Sequence, residues 1–358
     1  MSEVLHLAGV KRTYGSLRAL DSINLSIPSN AYVSLLGPSG SGKTTLLRVI
    51  AGFEEPDAGS ILLDGQPIVG VPAHRRGIGF VFQNFALFPH LSVAKNIAYG
   101  LANRDLAPVR DRAKLREKVR AIVELVGLGG LEDRGVTQIS GGQRQRVALA
   151  RTLVTEPRLV LLDEPLGALD ANLRGRMRSE LRAIRERLGV TFLHVTGSES
   201  EALAMGDLVL VLDRGHIAQA ADAATVYNRP ALPSVARFLN CYNMFDGDLK
   251  DDRFVSPVGI FPLAPGVRLA SRQPAYAVRY DRVEVRPASV PAAVDEIRIE
   301  GAFIASEYSG SSVNSFFSLE DGRVFEVEAH LSHRSPEVYA PRERYGLIWK
   351  RGAALVFA

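Results

Sequence analysis

The sequence predicts an α/β domain built around a phosphate-binding loop, followed by a small all-β barrel domain. The first domain is expected to combine a parallel-sheet core, an antiparallel β subdomain and a helical insertion. Three observations carry that prediction. Residues 37–45 read Gly-Pro-Ser-Gly-Ser-Gly-Lys-Thr-Thr, with the apolar run 31–36 ahead and the helical run 46–52 behind; strand, loop and helix is the setting such a loop needs. Apolar strand-like runs alternate with helical patterns through the first part of the chain, which argues for a mainly parallel sheet covered on both faces. Beyond about residue 238 short strand-like runs punctuated by proline and glycine take over, the texture of a small barrel. The domains are therefore expected at 1–238 and 239–358.

Taken in order, 5–27 holds short alternating runs broken by Tyr14-Gly15-Ser16 and closed by Pro28, which predicts antiparallel strands. Runs at 33–36, 79–82, 159–162, 191–196 and 208–212 read as buried strands. Helical patterns occupy 113–126 and 144–154, and the stretch from about 87 to 155 reads as a helix-rich insertion. In the second domain, strand-like runs lie at 276–280, 283–285, 296–305, 313–319, 324–329 and 345–350.

At 358 residues the chain is long for one domain and comfortable for two. Its 43 basic and 39 acidic residues leave a net charge of +4, too small an excess to argue for nucleic acid. Nor does the C-terminal part contain the basic, aromatic-studded segment that single-stranded nucleic acids use. One cysteine, Cys241, excludes an internal disulfide and fits a reducing cytosol. The opening residues lack a basic region followed by an apolar core, so no secretion signal is expected. No apolar run reaches about eighteen residues, so another chain would have to supply any membrane span.

In the loop, Gly37, Gly40 and Gly42 let successive backbone N–H groups turn inward into an anion nest, with Pro38, Ser39 and Ser41 between them. The helix N-terminus behind adds partial positive charge. Lys43 can reach the β- and γ-phosphates of a nucleotide, and the Thr44 hydroxyl, with Thr45 beside it, can ligate magnesium. Residues 159–165 read Leu-Val-Leu-Leu-Asp-Glu-Pro, an apolar strand ending in two carboxylates. In a phosphate-loop protein the first, Asp163, belongs near Mg²⁺, and the second, Glu164, is placed to polarise an attacking water. Adjacent residues on a strand face opposite ways, so the two acids can hold different jobs only if the strand ends there, which Pro165 favours.

Ser140-Gly141-Gly142-Gln143 precedes a helix expected to begin near Arg144. A hydroxyl with two bare N–H groups at a helix start is a second anion site, or an ordinary N-cap. With the helix running straight on into the carboxylate strand, the chain resembles the ATPase subunit of an ABC transporter. That family's Leu-Ser-Gly-Gly-Gln segment stands here with Ile139 in place of leucine. The resemblance covers about residues 4–238 and rests on five motifs in order. It implies that Tyr14 stacks on the adenine of ATP. It implies that Gln83 contacts Mg²⁺ and the attacking water, and reports to a membrane subunit. It implies that the segment 166–170, ending in Asp170, crosses a dimer interface. The last third resembles the oligonucleotide-fold accessory domain of importer ATPases. There, 277–281 reads Ala-Val-Arg-Tyr-Asp where an Arg-Pro-Glu stretch is usual.

One position departs from the family. The strand after residue 191 ends in Thr196-Gly197-Ser198, and the following Glu201-Ala202-Leu203-Ala204-Met205 fixes the register, so Gly197 occupies the place of the histidine that contacts the γ-phosphate. His194 lies three residues earlier, which on a strand is the opposite face; it reads as a histidine packed under a helix. The resemblance implies an ATP-hydrolysing subunit powering solute import. ATP and Mg²⁺ would lie between two ATPase copies, identical or not. Transmembrane permease subunits would hold it at the cytoplasmic face of the inner membrane, with an extracytoplasmic solute-binding protein as an indirect partner and no nucleic acid. Polyamine, iron, sulfate, sugar and phosphonate are all solutes of such importers. The alternative is a nucleotide-gated regulatory or partner subunit whose hydrolysis is weak because of Gly197.

Overall fold

A computed structural model of the chain describes residues 2–103, 108–167, 169–263, 274–332 and 337–357. It divides into two compact units, the first ending at Asn228 and the second beginning at Arg229. That junction lies ten residues before the expected 238/239. The helix Pro233–Phe238, which reads as the tail of the first domain, instead packs on the first strand of the second unit, Tyr242–Asp246.

The first unit opens with two long antiparallel strands, β1 (Glu3–Tyr14) and β2 (Leu17–Pro28). Register shifts along the pair mark bulges, which is why their alternation reads as broken in the sequence. Next come β3 (Tyr32–Leu36), α1 (Lys43–Ala51), β4 (Ala58–Leu63), β5 (Gln66–Pro67) and β6 (Ile78–Val81). The helices α2 (Val93–Asn103), α3 (Arg112–Leu125) and α4 (Gly141–Leu153) follow. The unit closes with β7 (Leu159–Asp163), α5 (Ala171–Leu188), β8 (Thr191–Val195), α6 (Glu199–Met205), β9 (Leu208–Asp213), β10 (His216–Ala221) and α7 (Ala223–Asn228).

Two sheets result. One is antiparallel, in the order β2-β1-β4-β5; the other runs β10-β9-β3-β8-β7-β6, parallel except for the edge strand β10. In the central strands β3, β7 and β8 nearly every side chain is buried, as a sheet covered on both faces requires. One core gathers α1 and the antiparallel sheet around Leu35, Leu46, Ile50 and Leu161; the other gathers α2–α5 around Tyr32, Leu162, Leu149 and Phe192. The carboxyl ends of β3, β7 and β8 thereby converge on the loops that follow them, the place where open α/β sheets bind ligands.

After its opening helix Pro233–Phe238 the second unit is built of β-strands. Among the described residues its strands form three antiparallel sheets, the largest carrying five strands, and Glu296–Tyr308 is the longest strand. Their inner faces share an aromatic core of Phe245, Phe254, Phe261, Tyr276, Phe317, Phe325 and Trp349. The two polar tips among these meet each other: Trp349 Nε1 donates to the Tyr276 hydroxyl at 2.8 Å.

Candidate active site

The phosphate loop sits between β3 and α1. Gly37 (φ 157°) and Gly42 (φ 105°) are the positions where glycine is obligatory: a Cβ at Gly37 would lie 2.2 Å from the Leu212 carbonyl oxygen, and one at Gly42 2.3 Å from that of Ala19. The far end of α1 is fixed by the buried Arg76, whose Nη1 donates to the carbonyls of Val49 (2.9 Å) and Ile50 (3.0 Å). Lys43 Nζ folds back on its own loop, donating to the carbonyls of Gly37 (2.7 Å) and Pro38 (2.9 Å). Burial draws its pKa down, while Glu164 and Asp163 push it back up. The Ser41 hydroxyl is buried with no hydrogen-bond partner. A cradle too tight for side chains, an ammonium resting on carbonyls and an orphaned hydroxyl together fit a phosphate chain, which would supply the missing acceptors.

β7 ends at Asp163, and Glu164 takes a left-handed backbone conformation, φ 45°. That turn breaks the strand alternation, so the two carboxylates need not face opposite sides of the sheet. A non-glycine residue in this region is strained, and such strain gathers at functional sites. Burial raises the pKa of Asp163, the neighbouring Glu164 raises it further, and Arg48 and Lys43 oppose both. A half-buried carboxylate pushed up in this way is suited to a cation, which would remove the penalty. The side chain of Gln83, just past β6, donates from Nε2 to Glu164 Oε2 at 3.0 Å. Lys43, Asp163, Glu164 and Gln83 are thus brought to one place by β3, β7 and β6.

The other candidates stand apart from that cluster. Ser140 is the N-cap of α4, its Oγ accepting from Gln143 N at 3.3 Å while Gln143 Oε1 accepts from Ser140 N at 2.8 Å. The helix therefore begins at Gly141, three residues before the expected Arg144, because the capping box brings both glycines into its first turn. These residues bond with one another and not with the phosphate loop of their own chain. Asp170 is likewise an N-cap, accepting from Leu173 N at 2.9 Å at the start of α5. Ala168, in the segment before it, lies outside the described residues. Tyr14 is 41% exposed. One face of its ring carries the Arg12 guanidinium, 4.9 Å from the centroid, and its hydroxyl bonds to Glu54.

The turn after Thr196 is held by a buried chain of polar groups. Thr196 Oγ1 donates to Glu201 Oε2 at 2.8 Å and accepts from Ser198 N at 3.0 Å, and Arg174 of α5 lies 3.5 Å from the same buried carboxylate. His194 is fully buried, its Nδ1 3.0 Å from the Tyr32 hydroxyl. Phe82, Phe85 and Phe88 surround Gln83 in sequence. Phe85 is not part of an exposed patch but fills the core of the helical insertion. The exposed rings are Phe53 (48%) and Phe82 (36%), stacked at 5.7 Å, with Tyr99 (44%) against Phe88 at 4.4 Å. Phe82 reads as a strand residue and Phe53 as a turn, so only their shared exposure marks them.

The model of the ABC transporter family matches residues 20–167. The Fe(3+) ions import ATP-binding protein FbpC of Photorhabdus laumondii is 46% identical over 69% of this chain and 70% of its own. The spermidine/putrescine import ATP-binding protein PotA of Acidothermus cellulolyticus is 39% identical over 94% of this chain and 88% of its own. Among solved structures, a dimeric post-hydrolysis state of the ATP-binding cassette MJ0796 bound to ADP and Pi is 29% identical, with a TM-score of 0.55, covering 61% of this chain and 98% of that one. The phosphate loop and its two carboxylates define a nucleotide-binding P-loop domain. More narrowly, the chain belongs to the ABC transporter family, in its ATP-binding class.

Proposed function

We propose that this chain hydrolyses ATP to power solute import through separate membrane subunits. The observation that carries the reading is the convergence of Lys43, Asp163, Glu164 and Gln83 at the carboxyl ends of three adjacent strands. Lys43 would exchange its loop carbonyls for the β- and γ-phosphates. Thr44 and Asp163 would hold Mg²⁺, with Gln83 beside them; the ion would neutralise phosphate charge. Glu164, its carboxylate held by the Gln83 amide, would take the proton of the attacking water.

The Ser140–Gly142 turn has its hydroxyl and free N–H groups at a helix N-terminus but no phosphate loop of its own chain against it. It would complete the site of a second copy, with two nucleotides between two chains. Closure then follows from each γ-phosphate being bound by both halves, a differential interaction that favours one state. The similarity to a dimeric cassette holding ADP and Pi supports this arrangement. No helix among the described residues is long and apolar enough to cross a membrane. Working on permease subunits, the chain would sit peripherally at the cytoplasmic face of the inner membrane. The relatives' solutes differ, iron in one and polyamine in another; the solute touches other chains, and this one is generic toward it.

Glu164→Gln tests the reading. It preserves Thr44, Asp163 and the loop, so ATP affinity should stay within about twofold while turnover falls at least about a hundredfold. The variant should also elute as a dimer in ATP and as a monomer without it. Hydrolysis at the parent rate would remove Glu164 as the base.

A further inference from the structure

The Gln83 turn contains two consecutive non-glycine residues in the left-handed region, Phe85 at φ 64° and Ala86 at φ 45°. Residues in that conformation persist only where their surroundings over-determine it. Here the constraint is one side chain from α4. Arg151 donates from Nη1 to the Ala86 carbonyl at 2.7 Å and from Nη2 to the Phe85 carbonyl at 2.9 Å. Its guanidinium carbon lies 5.6 Å from the centroid of the Phe88 ring. Burial lowers its pKa, with no carboxylate opposing that shift. A guanidinium partly withdrawn from water without a counter-charge is a costly way to fill space. What it offers in return is a planar fork that matches two adjacent carbonyls, which lysine does not have.

We infer that Arg151 is a positioning residue for hydrolysis: by clamping the Phe85 and Ala86 carbonyls it fixes the turn that sets Gln83 against Glu164, and it ties that turn to α4, whose first residues are the Gly141-Gly142 pair. The inference rests on the reading of Gln83 and Glu164 as parts of the hydrolytic site. It makes the loop beside β6 and the helix that would face a partner's nucleotide a single mechanical piece. A displacement of one then moves the other without any change in the phosphate loop.

The test is a set of purified full-length variants assayed for steady-state hydrolysis, with ATP affinity measured by a fluorescent ATP analogue. Arg151→Met keeps the stem against Phe88 and removes both bonds. It should lower kcat about tenfold or more and leave nucleotide affinity within about twofold. Combined with Gln83→Ala, it should be no slower than Gln83→Ala alone, because both act at one point. Ala86→Gly, which relieves the left-handed strain at an exposed position, should restore part of the rate to Arg151→Met, and Arg151→Lys should fall between parent and Met. A parental kcat in Arg151→Met, or losses that multiply with Gln83→Ala, would overturn the inference and leave the hydrolytic site intact. If Arg151→Met does not fold, Arg151→Lys decides: a kcat loss relieved by Ala86→Gly supports the clamp, and a parental kcat sinks it. If Gln83→Ala itself turns over at the parent rate, the reading of Gln83 fails first, and the clamp fails with it.

Discussion

A Cβ built at Gly197 would meet no heavy atom within 4 Å, and the backbone there lies outside the left-handed region. Glycine at this position is therefore not a conformational necessity, and the family's histidine has both room and a suitable backbone. If the missing donor limits turnover, Gly197→His should raise kcat about tenfold or more, since one donor to developing charge is worth about a hundredfold to a thousandfold. The KM for ATP and the melting temperature should hardly move, as the contact strengthens in the transition state. A parental rate would mean that Ser198 or another group already fills the role. His194 is not that group. Burial holds its pKa down at about 3, so it is neutral at any working pH and serves the core. Unfolded, it titrates near 6.5. Stability from this residue is therefore complete above that value and drains as pH falls from 6.5 toward 3, by about 2 kcal/mol at pH 5. His194→Gln, which can still meet the Tyr32 hydroxyl, should flatten the acid limb of a urea-unfolding stability profile; an unchanged limb would show that other groups control it.

At the scale of elements, the core strands β3, β7 and β9 were legible because nearly all of their residues are withdrawn from solvent. The runs at 33–36, 159–162 and 208–212 sit within a residue of β3, β7 and β9. The short strands β4, β5 and β10 escaped reading because they lie at or beside sheet edges with half their residues exposed, so neither periodicity nor an apolar run marks them. Helix starts were harder still. Arg144 looks like the first helical residue of α4 because two glycines precede it, yet the reciprocal Ser140–Gln143 cap outweighs their poor propensity. The sequence also could not separate a cap from a ligand contact, and Asp170 raises the same ambiguity. Asp170→Ala should cost about 1 kcal/mol through the lost cap of α5. Asp170→Asn should keep stability within a few tenths. If Asp170→Asn nonetheless lowers hydrolysis or nucleotide-driven dimerisation, the carboxylate acts across the interface; if its activity is parental, Asp170 is a cap and nothing more.

For the whole molecule, the question is which surface receives force from the membrane subunits. Phe53 and Phe82 stack in the open, and Tyr99 is exposed over Phe88. Exposed aromatic groups on this scale mark an interaction site more often than they decorate a free surface. Phe82 and Phe88 belong to the segment around Gln83 that Arg151 fastens to α4; Phe53 and Tyr99 join it through their ring contacts. A helix of a permease lying on them would press on the turn that holds Gln83 to Glu164, so docking and hydrolysis would share one lever. In the β unit the core aromatic groups are turned inward around Trp349. Photocrosslinkers placed at 53, 82 and 99 should therefore capture a permease subunit in membranes, and Phe82→Ser should reduce that capture and the permease-dependent part of hydrolysis at least about fivefold. Its basal rate in solution should stay near the parent's, because the Phe82 ring packs on Phe53 and Phe80 and the substitution keeps the backbone bond from Phe85 N to the carbonyl at position 82. Capture only from positions in the β unit, with hydrolysis in membranes untouched by Phe82→Ser, would move the point of contact away from the Gln83 turn and break the proposed lever.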